Sequence, residues 1–570
     1  MASSDQEARS GVDRRAFVGG VVGGALAVAG HAVPAWARGV AGSPRDGRRP
    51  AVGTPDDFAL AEATIDQLQE AMRSGKLTAR SIAEQYLARI DAMDQRGPAV
   101  NAIIEINPDA LAIADALDAE RKAKGPRSPM HGIPVVIKDN IATKDRMQTT
   151  AGSLALVGAT APRDAFIVDR LRAAGAVILA KANLSEWANF RSTQSCSGWS
   201  GRGGQTRNPY STDRTPSGSS SGSAVAAAAS FCAVAVGTET DGSIVSPSSC
   251  SALVGLKPTV GLLSRSGIVP ISHSQDTAGP ICRTVRDAAI LLSAMTGEDA
   301  RDPATAGSRK RSAPDYTRFL DPNGLRGARI GVARAHFFGY DRALDRAVND
   351  ALDLMRQQGA TIVDPANLTT AGQFGDAEQE VLLYEFKADL DRYLADLGPG
   401  ARVHTLADVI AFNDAHRDTE LRYFGQELMV QAQAKGPLTT PAYLAARAKC
   451  VRMSRAMGID HTIVTHRLDA IVVPTGTPPT PIDLVNGDGS VGGGASSSST
   501  AAVAGYPSIT VPVGFSFGLP MGMLFMARAY QEGTLLKLAY AYEQASRIRK
   551  PPQFLARPDL GPTGRPSMPA

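Results

Sequence analysis

Three segments of the chain carry amine and hydroxyl side chains whose spacing suits nucleophilic chemistry. Lys138 ends an apolar run in His131-Gly-Ile-Pro-Val-Val-Ile-Lys-Asp-Asn140, and two Ser/Gly-rich turns surround Ser219 and Ser243. A serine hydroxyl is a weak nucleophile until a neighbouring base takes its proton. A lysine at the end of a buried strand can be desolvated, which lowers its pKa and leaves a neutral amine able to act as that base. The residues therefore predict a hydrolase that works through a Ser-Ser-Lys relay.

The turn around Ser243 follows an apolar strand in Gly237-Thr-Glu-Thr-Asp-Gly-Ser-Ile244. Glycine permits a tight turn whose backbone N–H groups point inward, and such donors can stabilise an oxyanion. We expect this oxyanion hole to use the amides of Thr240, Asp241, Gly242 and Ser243. Taken singly, each segment has an alternative interpretation: a surface turn around Ser243, a flexible serine linker, or a solvated lysine.

Together, the three motifs and their spacing resemble the amidase signature family. Lys138 precedes Ser219 by 81 residues, and Ser243 follows 24 residues later. The resemblance extends over most of residues 57–550 and implies that Ser243 is the acylated nucleophile. It implies that Ser219 is a bridging serine in a cis-peptide and that Lys138 is the base. The implied fold is a single large α/β domain, a mixed, twisted sheet of about eleven strands surrounded by helices, with no metal or organic cofactor.

The second serine motif departs from the commonest form of the family at two positions. Asp241 replaces a glycine whose amide lines the oxyanion hole, and Val245 stands where an arginine is usual. The form Thr-Glu-Thr-Asp-Gly-Ser-Ile, preceded by Arg202-Gly-Gly-Gln-Thr-Arg-Asn-Pro-Tyr210, is similar to exported peptide amidases, which remove the C-terminal amide from peptides. The resemblance therefore implies ammonia release from C-terminal peptide amides or related carboxamides through an acyl-enzyme.

Several alternative functions remain open at this stage. Within the same family, the chain could be an aryl acylamidase, a broad-specificity amidase or a glutamine amidotransferase subunit. Gly218-Ser-Ser-Ser-Gly222 also matches the GxSxG pattern of α/β-hydrolases, with Ser220 at its centre. That fold requires a strand directly before the motif, whereas residues 208–216 have a loop composition. A non-catalytic binding protein built on an inactive amidase scaffold is a further alternative.

Composition and charge limit the partners that we expect. The chain has 570 residues, 43% hydrophobic and 20% charged, which is typical of globular proteins. Of the net charge of +4, the first 50 residues supply +3, so neither nucleic acid nor an anionic membrane is an expected partner. The expected partner is a small-molecule or peptide amide, and the oligomeric state is not predicted. Five widely spaced cysteines without a CxxC pair suggest neither a disulfide framework nor a zinc site.

The N-terminal residues resemble an export signal. Arg14-Arg15 forms a twin-arginine pattern, an apolar run follows, and Ala35-Trp36-Ala37 offers a cleavage site. Residues 1–37 are therefore predicted to be a twin-arginine signal peptide and residues 38–56 a disordered linker. We expect a periplasmic or extracellular protein without stable membrane association after cleavage. The alternative is an uncleaved membrane anchor, although the run is short and rich in glycine.

One amidase domain is predicted over residues 57–550, with a helical insertion at 371–467 that shapes the acyl pocket and a flexible tail at 551–570. The tract Asn486–Thr500 is expected to be a flexible loop that need not pack. Trp199, Arg202 and Arg207 lie in a predicted loop, Ser192–Ser223, and are candidates either for an entrance or for a structural role. Hydrophobic periodicity predicts helices at 57–93 (broken near Gly75), 109–124, 164–174, 224–229, 285–295, 342–358 and 534–547, and strands at 135–137, 177–180, 233–237, 330–332, 470–473 and 508–513.

Overall fold

A mixed sheet of eleven strands lies at the centre of the protein. The computed structural model describes residues 58–488 and 497–560. Within these residues the strands form this sheet and a separate two-stranded ribbon, β4–β5. The strands are β1 (Ile103–Ile106), β2 (Pro134–Lys138), β3 (Val177–Ala182), β4 (Trp199–Ser200), β5 (Gly204–Gln205), β6 (Val234–Glu239), β7 (Val254–Lys257), β8 (Thr277–Cys282), β9 (Arg329–Val332), β10 (Thr361–Val363), β11 (Ala470–Pro474), β12 (Ser508–Ser516) and β13 (Leu519–Met526).

The order of the strands brings two of the predicted motifs side by side. Across the sheet the order is β1-β3-β2-β6-β8-β7-β12-β13-β11-β9-β10. β2 is parallel to both of its neighbours, β3 and β6, and β9 is parallel to β10 and β11, whereas the other pairs are antiparallel. Because parallel neighbours end at the same edge of a sheet, Lys138 at the end of β2 lies beside the turn that follows β6.

Helices cover the sheet on its faces. They are α1 (Ile65–Arg73), α2 (Ala79–Met93), α3 (Ala110–Lys124), α4 (Phe166–Ala173), α5 (Ser221–Ala228), α6 (Val245–Cys250), α7 (Val285–Met295), α8 (Ser308–Arg311), α9 (Arg342–Gln357), α10 (Gly375–Asp396), α11 (Leu406–Ala415), α12 (Arg417–Glu420), α13 (Glu427–Gln433), α14 (Pro441–Val451), α15 (Asp460–His466), α16 (Ser499–Ala504) and α17 (Glu532–Ser546). The predicted fold class, an α/β domain with a mixed sheet of eleven strands surrounded by helices, is confirmed.

Small residues allow α5 to lie unusually close to the sheet. The helix is buried along its whole length and packs on β2, β3, β6 and β8. A Cβ atom on Gly222 would lie 2.3 Å from the carbonyl oxygen of Ala102 and 2.4 Å from that of Asn183. Glycine is therefore required here by the close approach of two backbones. This contact fixes the start of α5, and so the serines before it, against the ends of the strands.

Most predicted elements occur within a few residues of their expected positions. The periodic pattern of residues 57–93 forms α1 and α2, separated near Gly75, and the strand predicted at 135–137 extends by one residue at each end. The loop predicted at Ser192–Ser223 is wrong at two places, because it contains the β4–β5 ribbon and because α5 begins at Ser221. The sheet strands β1, β7, β8, β10 and β13 have no predicted counterpart. In β13, for example, a run of apolar residues and glycine shows no alternation.

The Gly/Ser tract is only partly described, and the described part contradicts the prediction that it need not pack. Ser497 and Ser498 are buried, and α16 begins at Ser499. Ser497 Oγ donates a hydrogen bond to the carbonyl oxygen of Thr475 at 2.5 Å. These hydroxyl groups satisfy buried acceptors, so the serines that composition assigns to a loop are part of the packed structure.

The predicted domain boundaries remain predictions. The signal peptide at 1–37 and the linker at 38–56 lie outside the described residues. Six α-helices, α10 to α15, and a π-helical segment, Arg452–Ile459, fall within residues 371–467. In the segment predicted as a tail, the backbone N–H of Phe554 donates to the carbonyl oxygen of Pro209 at 2.9 Å. Among the described residues, no helix combines the length and apolar character needed to cross a bilayer.

Candidate active site

Lys138 is the last residue of β2 and is completely buried. Its Nζ lies 2.7 Å from Ser219 Oγ, 2.9 Å from Thr238 Oγ1 and 3.3 Å from the carbonyl oxygen of Thr238. Asn140 Nδ2 donates to the same Thr238 hydroxyl at 2.9 Å. The lysine amine is therefore held by the neighbouring strand β6 on one side and by a predicted site serine on the other.

Burial lowers the pKa of Lys138 to about 7, because the ammonium form loses its hydration. The carboxylates of Asp276 and Glu239 act in the opposite direction but do not offset this effect. A neutral amine has two N–H donors and one lone pair. The two oxygen atoms of Thr238 can accept the donors, which leaves the lone pair for the Ser219 hydroxyl proton. The arrangement therefore suits a lysine that is uncharged near neutral pH.

Ser219 lies in the turn that leads into α5 and is fully buried. The peptide bond between Gly218 and Ser219 is cis, as the family resemblance implied. The carbonyl oxygen of Ser219 accepts a hydrogen bond from the N–H of Ser185 at 3.1 Å. Lys138 and Ser219, which were predicted to act together, are in direct hydrogen-bond contact.

Ser243 lies in the turn between β6 and α6 and is 8% exposed. Gly242 has a φ of +79°, a left-handed conformation that glycine adopts without strain. The N–H of Ser220 donates to the carbonyl oxygen of Ser243 at 3.2 Å. This backbone contact joins the two serine turns, so the structure brings the segments of Lys138, Ser219 and Ser243 to one place.

The backbone N–H groups of residues 240–243 differ in their hydrogen bonding from those of the next two residues. Within residues 58–488 and 497–560, none of these four N–H groups donates a hydrogen bond to the protein. The next two, those of Ile244 and Val245, donate to Glu239 Oε2 at 2.7 and 3.0 Å. Glu239 thus fixes the start of α6, where a carboxylate is also favoured by the helix dipole. The predicted oxyanion donors Thr240, Asp241, Gly242 and Ser243 remain available to a ligand.

Sequence reasoning missed the residues that support these groups. Thr238 and Glu239 lie inside the quoted second motif, so their position next to Ser243 was a usable signal. Asp276 accepts a hydrogen bond from Thr240 Oγ1 at 2.5 Å, and Gln275 Nε2 donates to the carbonyl oxygen of Thr240 at 3.3 Å. No motif marks Gln275 or Asp276, because their contact with the turn depends on the pairing of β6 with β8.

The geometry does not support the α/β-hydrolase alternative. No strand ends directly before Gly218 in the described chain. Ser220 is fully buried, its Oγ donates to the carbonyl oxygen of Thr238 at 3.0 Å, and it accepts from the N–H of Thr238 at 3.1 Å. Both hydrogen bonds attach α5 to β6, which makes Ser220 a structural residue.

Two of the three candidate entrance residues are structural. Trp199 is buried, and the guanidinium of Arg191 lies 5.2 Å from the centre of its ring. Arg202 forms an ion pair with Glu105. Arg207 is exposed and donates to the carbonyl oxygen of Thr212 at 3.1 Å.

One group of side chains has the composition of a metal site. Among the described residues, ligand atoms of His273, Glu385 and Asp389 lie within 4.8 Å of one another. However, Glu385 Oε1 accepts from Tyr443 Oη at 2.7 Å and Glu385 Oε2 accepts from Ser272 Oγ at 2.5 Å, while Asp389 contacts His273 Nδ1 at 2.8 Å. Hydrogen bonds within the protein therefore account for this group.

Comparison with known proteins agrees with the motifs and the fold. The profile of the Amidase family matches residues 81–536. The chain therefore belongs to the amidase signature family. A protein of Arabidopsis thaliana named as a probable amidase is 42% identical over 510 residues, which cover 88% of this chain and 93% of that protein.

Two further relatives illustrate the range of activities in the family. The crystal structure of the native peptide amidase from Stenotrophomonas maltophilia has a TM-score of 0.83 and 51% identity, and the match covers 87% of this chain and 99% of that chain. One of the subunits of the glutamyl-tRNA(Gln) amidotransferase of Symbiobacterium thermophilum is 34% identical over 513 residues, 87% of this chain and 99% of that protein. Family membership and the match to peptide amidase identify this protein as an amide hydrolase.

Proposed function

We propose that Ser243 is the nucleophile of this amide hydrolase, that Ser219 relays its proton and that Lys138 is the base. The observation that carries the proposal is the contact of 2.7 Å between Lys138 Nζ and Ser219 Oγ in a buried site. Because burial brings the pKa of Lys138 to about 7, about half of the molecules hold a neutral amine at that pH.

The reaction begins when the neutral amine of Lys138 takes the hydroxyl proton of Ser219. Ser219 Oγ in turn takes the proton of Ser243, whose Oγ forms a bond to the amide carbon. The resulting oxyanion is held by the free amides of residues 240–243. The proton then returns through Ser219 to the leaving nitrogen, the C–N bond breaks, and an ester remains on Ser243. Water attacks this ester by the same route and releases the acid.

C-terminal amides of peptides are the substrates that we propose. Support comes from the 51% identity to the peptide amidase from Stenotrophomonas maltophilia and from the motif form Thr-Glu-Thr-Asp-Gly-Ser-Ile, which includes Asp241. The leaving group of such a substrate is ammonia, which is small and needs one proton. The site supplies that proton through Lys138 and Ser219.

Ammonia release and product formation from a matched set of amides test this proposal. One peptide is prepared as its C-terminal carboxamide, its anilide and its free acid, beside a fatty amide and glutamine. We expect hydrolysis of the peptide carboxamide, a transient mass increase of Ser243 equal to the acyl group, and no turnover by Ser243→Ala. Hydrolysis of anilides alone would contradict the peptide-amide assignment, and activity of Ser243→Ala would contradict the nucleophile.

The protein is also proposed to leave the cytoplasm by the twin-arginine route. Support comes from Arg14-Arg15, the apolar run after it and Ala35-Trp36-Ala37. Residues 1–37 fused to a reporter should deliver it outside the cytoplasm, and changing both arginines to lysine should retain it inside. Equal export of the two fusions would contradict the proposal.

A further inference from the structure

Two carboxyl groups meet beside the turn that carries Ser243. Asp241 belongs to the turn, and Glu378 belongs to the first turn of α10. Asp241 Oδ1 and Oδ2 accept hydrogen bonds from Ser498 Oγ at 2.5 Å and from Ser499 Oγ at 2.6 Å. Glu378 Oε1 accepts from Gln275 Nε2 at 2.9 Å, and the carboxyl group of Glu378 is in hydrogen-bond contact with that of Asp241.

Among the described residues, a single cation, Lys257, faces this pair of carboxyl groups. The titratable groups that face it are Glu239 from β6, Lys257 from β7 and Cys450 from α14. Lys257 is the one base among them, and its charge is shared with Glu239 and Glu532. Within the described residues, neither Asp241 nor Glu378 is in an ion pair with lysine or arginine, and Lys257 is the one cation that acts on the pair. Two buried carboxyl groups in contact cannot both ionise readily without such a partner.

We propose that Asp241 and Glu378 share one proton and that the pair is a positioning element, which fixes the oxyanion turn against α10 and α16. The inference rests on the proposed function, because the turn matters only if its amides receive the oxyanion. Burial raises the pKa of both carboxyl groups, and the charge of Asp241 adds to the increase at Glu378. Protonated Glu378 then donates a hydrogen bond to the Asp241 carboxylate.

The contacts show how this proton would affect the reaction. Gln275 Nε2 donates both to Glu378 and to the carbonyl oxygen of Thr240. Because Glu378 also contacts Asp241, α10 is connected to the turn at Thr240 and at Asp241. Loss of the shared proton places two negative charges in contact in a buried space. The resulting repulsion moves the side chain of Asp241, and the amides of residues 240–243 move with it. Because these amides contact the oxyanion, the change affects kcat more than KM.

The pH dependence of kcat distinguishes a shared proton from ordinary packing. For the wild type we expect kcat to decrease at alkaline pH. Glu378→Gln keeps a neutral donor in place, so we expect wild-type kcat at neutral pH and no alkaline decrease. Glu378→Ala removes the donor and should lower kcat at neutral pH about 10- to 100-fold, the effect of one hydrogen bond to a charged group. Asp376→Asn, an exposed change in the same turn of α10, is the matched control and should behave as the wild type.

An infrared measurement tests the pair without catalysis. The difference spectrum between wild type and Glu378→Gln at neutral pH should contain the carbonyl band of a protonated carboxylic acid, and this band should disappear as the alkaline decrease in kcat develops. Absence of the band, or an alkaline decrease that persists in Glu378→Gln, would overturn the proposal. Failure of the proposed function has a different signature, because Ser243→Ala would then remain active whatever the infrared spectrum shows.

Discussion

Replacing Lys138 by methionine should lower turnover about 10²- to 10⁴-fold and should change the stability of the fold in a pH-dependent way. Methionine has nearly the same shape and carries no charge to desolvate. Burial lowers the pKa of Lys138 from 10.5 to about 7. A difference of about 3.5 pKa units corresponds to roughly 5 kcal/mol by which the folded state disfavours the ammonium form. Lys138→Met also loses the hydrogen bonds of Nζ with Thr238 and Ser219. This loss lowers the free energy of unfolding of the variant by an amount that does not depend on pH.

The sign of this effect follows from proton binding. As the pH rises from 7 to 10.5 the unfolded chain keeps the lysine proton, whereas the folded protein, half deprotonated at pH 7, loses it, so the wild type gains stability as the pH rises. Below pH 7 both states are protonated, and the full penalty for burying the ammonium is present. The stability of Lys138→Met relative to the wild type should therefore fall by roughly 2 kcal/mol between pH 7 and pH 9, because each pH unit contributes about 1.4 kcal/mol once the folded amine is fully neutral.

Urea unfolding followed by tryptophan fluorescence at pH 7, 8 and 9 measures this difference. Lys76→Met, a change at an exposed lysine, is the control and should show no such trend. Ammonia release by the same samples should be about 10²- to 10⁴-fold lower in Lys138→Met, the usual contribution of a general base. In the wild type, kcat/KM should fall tenfold per pH unit below pH 7. A stability difference that is independent of pH between 7 and 9 would refute the argument that Lys138 is buried as a neutral amine.

Four further substitutions test the elements around the site. Glu239→Gln should lower kcat about 10-fold with little change in KM, because the amides of Ile244 and Val245 lose a charged acceptor; unchanged steady-state kinetics would contradict this role. Ser220→Ala should lower the free energy of unfolding by about 2 kcal/mol in urea titrations, because two buried hydrogen bonds are lost, whereas Ser219→Ala should abolish turnover and cost less stability. Gly222→Ala should cost about 3 kcal/mol, because the new Cβ meets the backbone of Ala102 and Asn183, and a crystal structure with an unshifted α5 would disprove that reasoning.

Local patterns were sufficient to locate the main groups of the candidate site. The apolar strand before Lys138 and the apolar strand before the Ser243 turn are both visible as short hydrophobic runs. Their parallel pairing then places Lys138 next to Thr238. The family resemblance supplied the order of the motifs and the approximate number of strands, which periodicity alone does not give.

Contacts between distant segments could not be predicted in this way. Glu378 lies in a helix that carries no motif, so nothing in its surroundings in the sequence indicates a contact with Asp241. Ser498 and Ser499 were assigned to a loop by composition, although they bind the carboxylate of Asp241. In each case the sequence shows the residue type, and the tertiary contact that gives it a role becomes visible in the structure.

The interior position of β2 and β6 has a consequence for local unfolding. β1 and β10 form the two edges of the sheet and can open without separating β2 from its neighbours. Backbone amides of β2 and β6 should accordingly exchange with deuterated solvent among the slowest in the protein. Fraying at the periphery would then leave the proton-transfer unit assembled, and inactivation by heat should coincide with global melting rather than precede it.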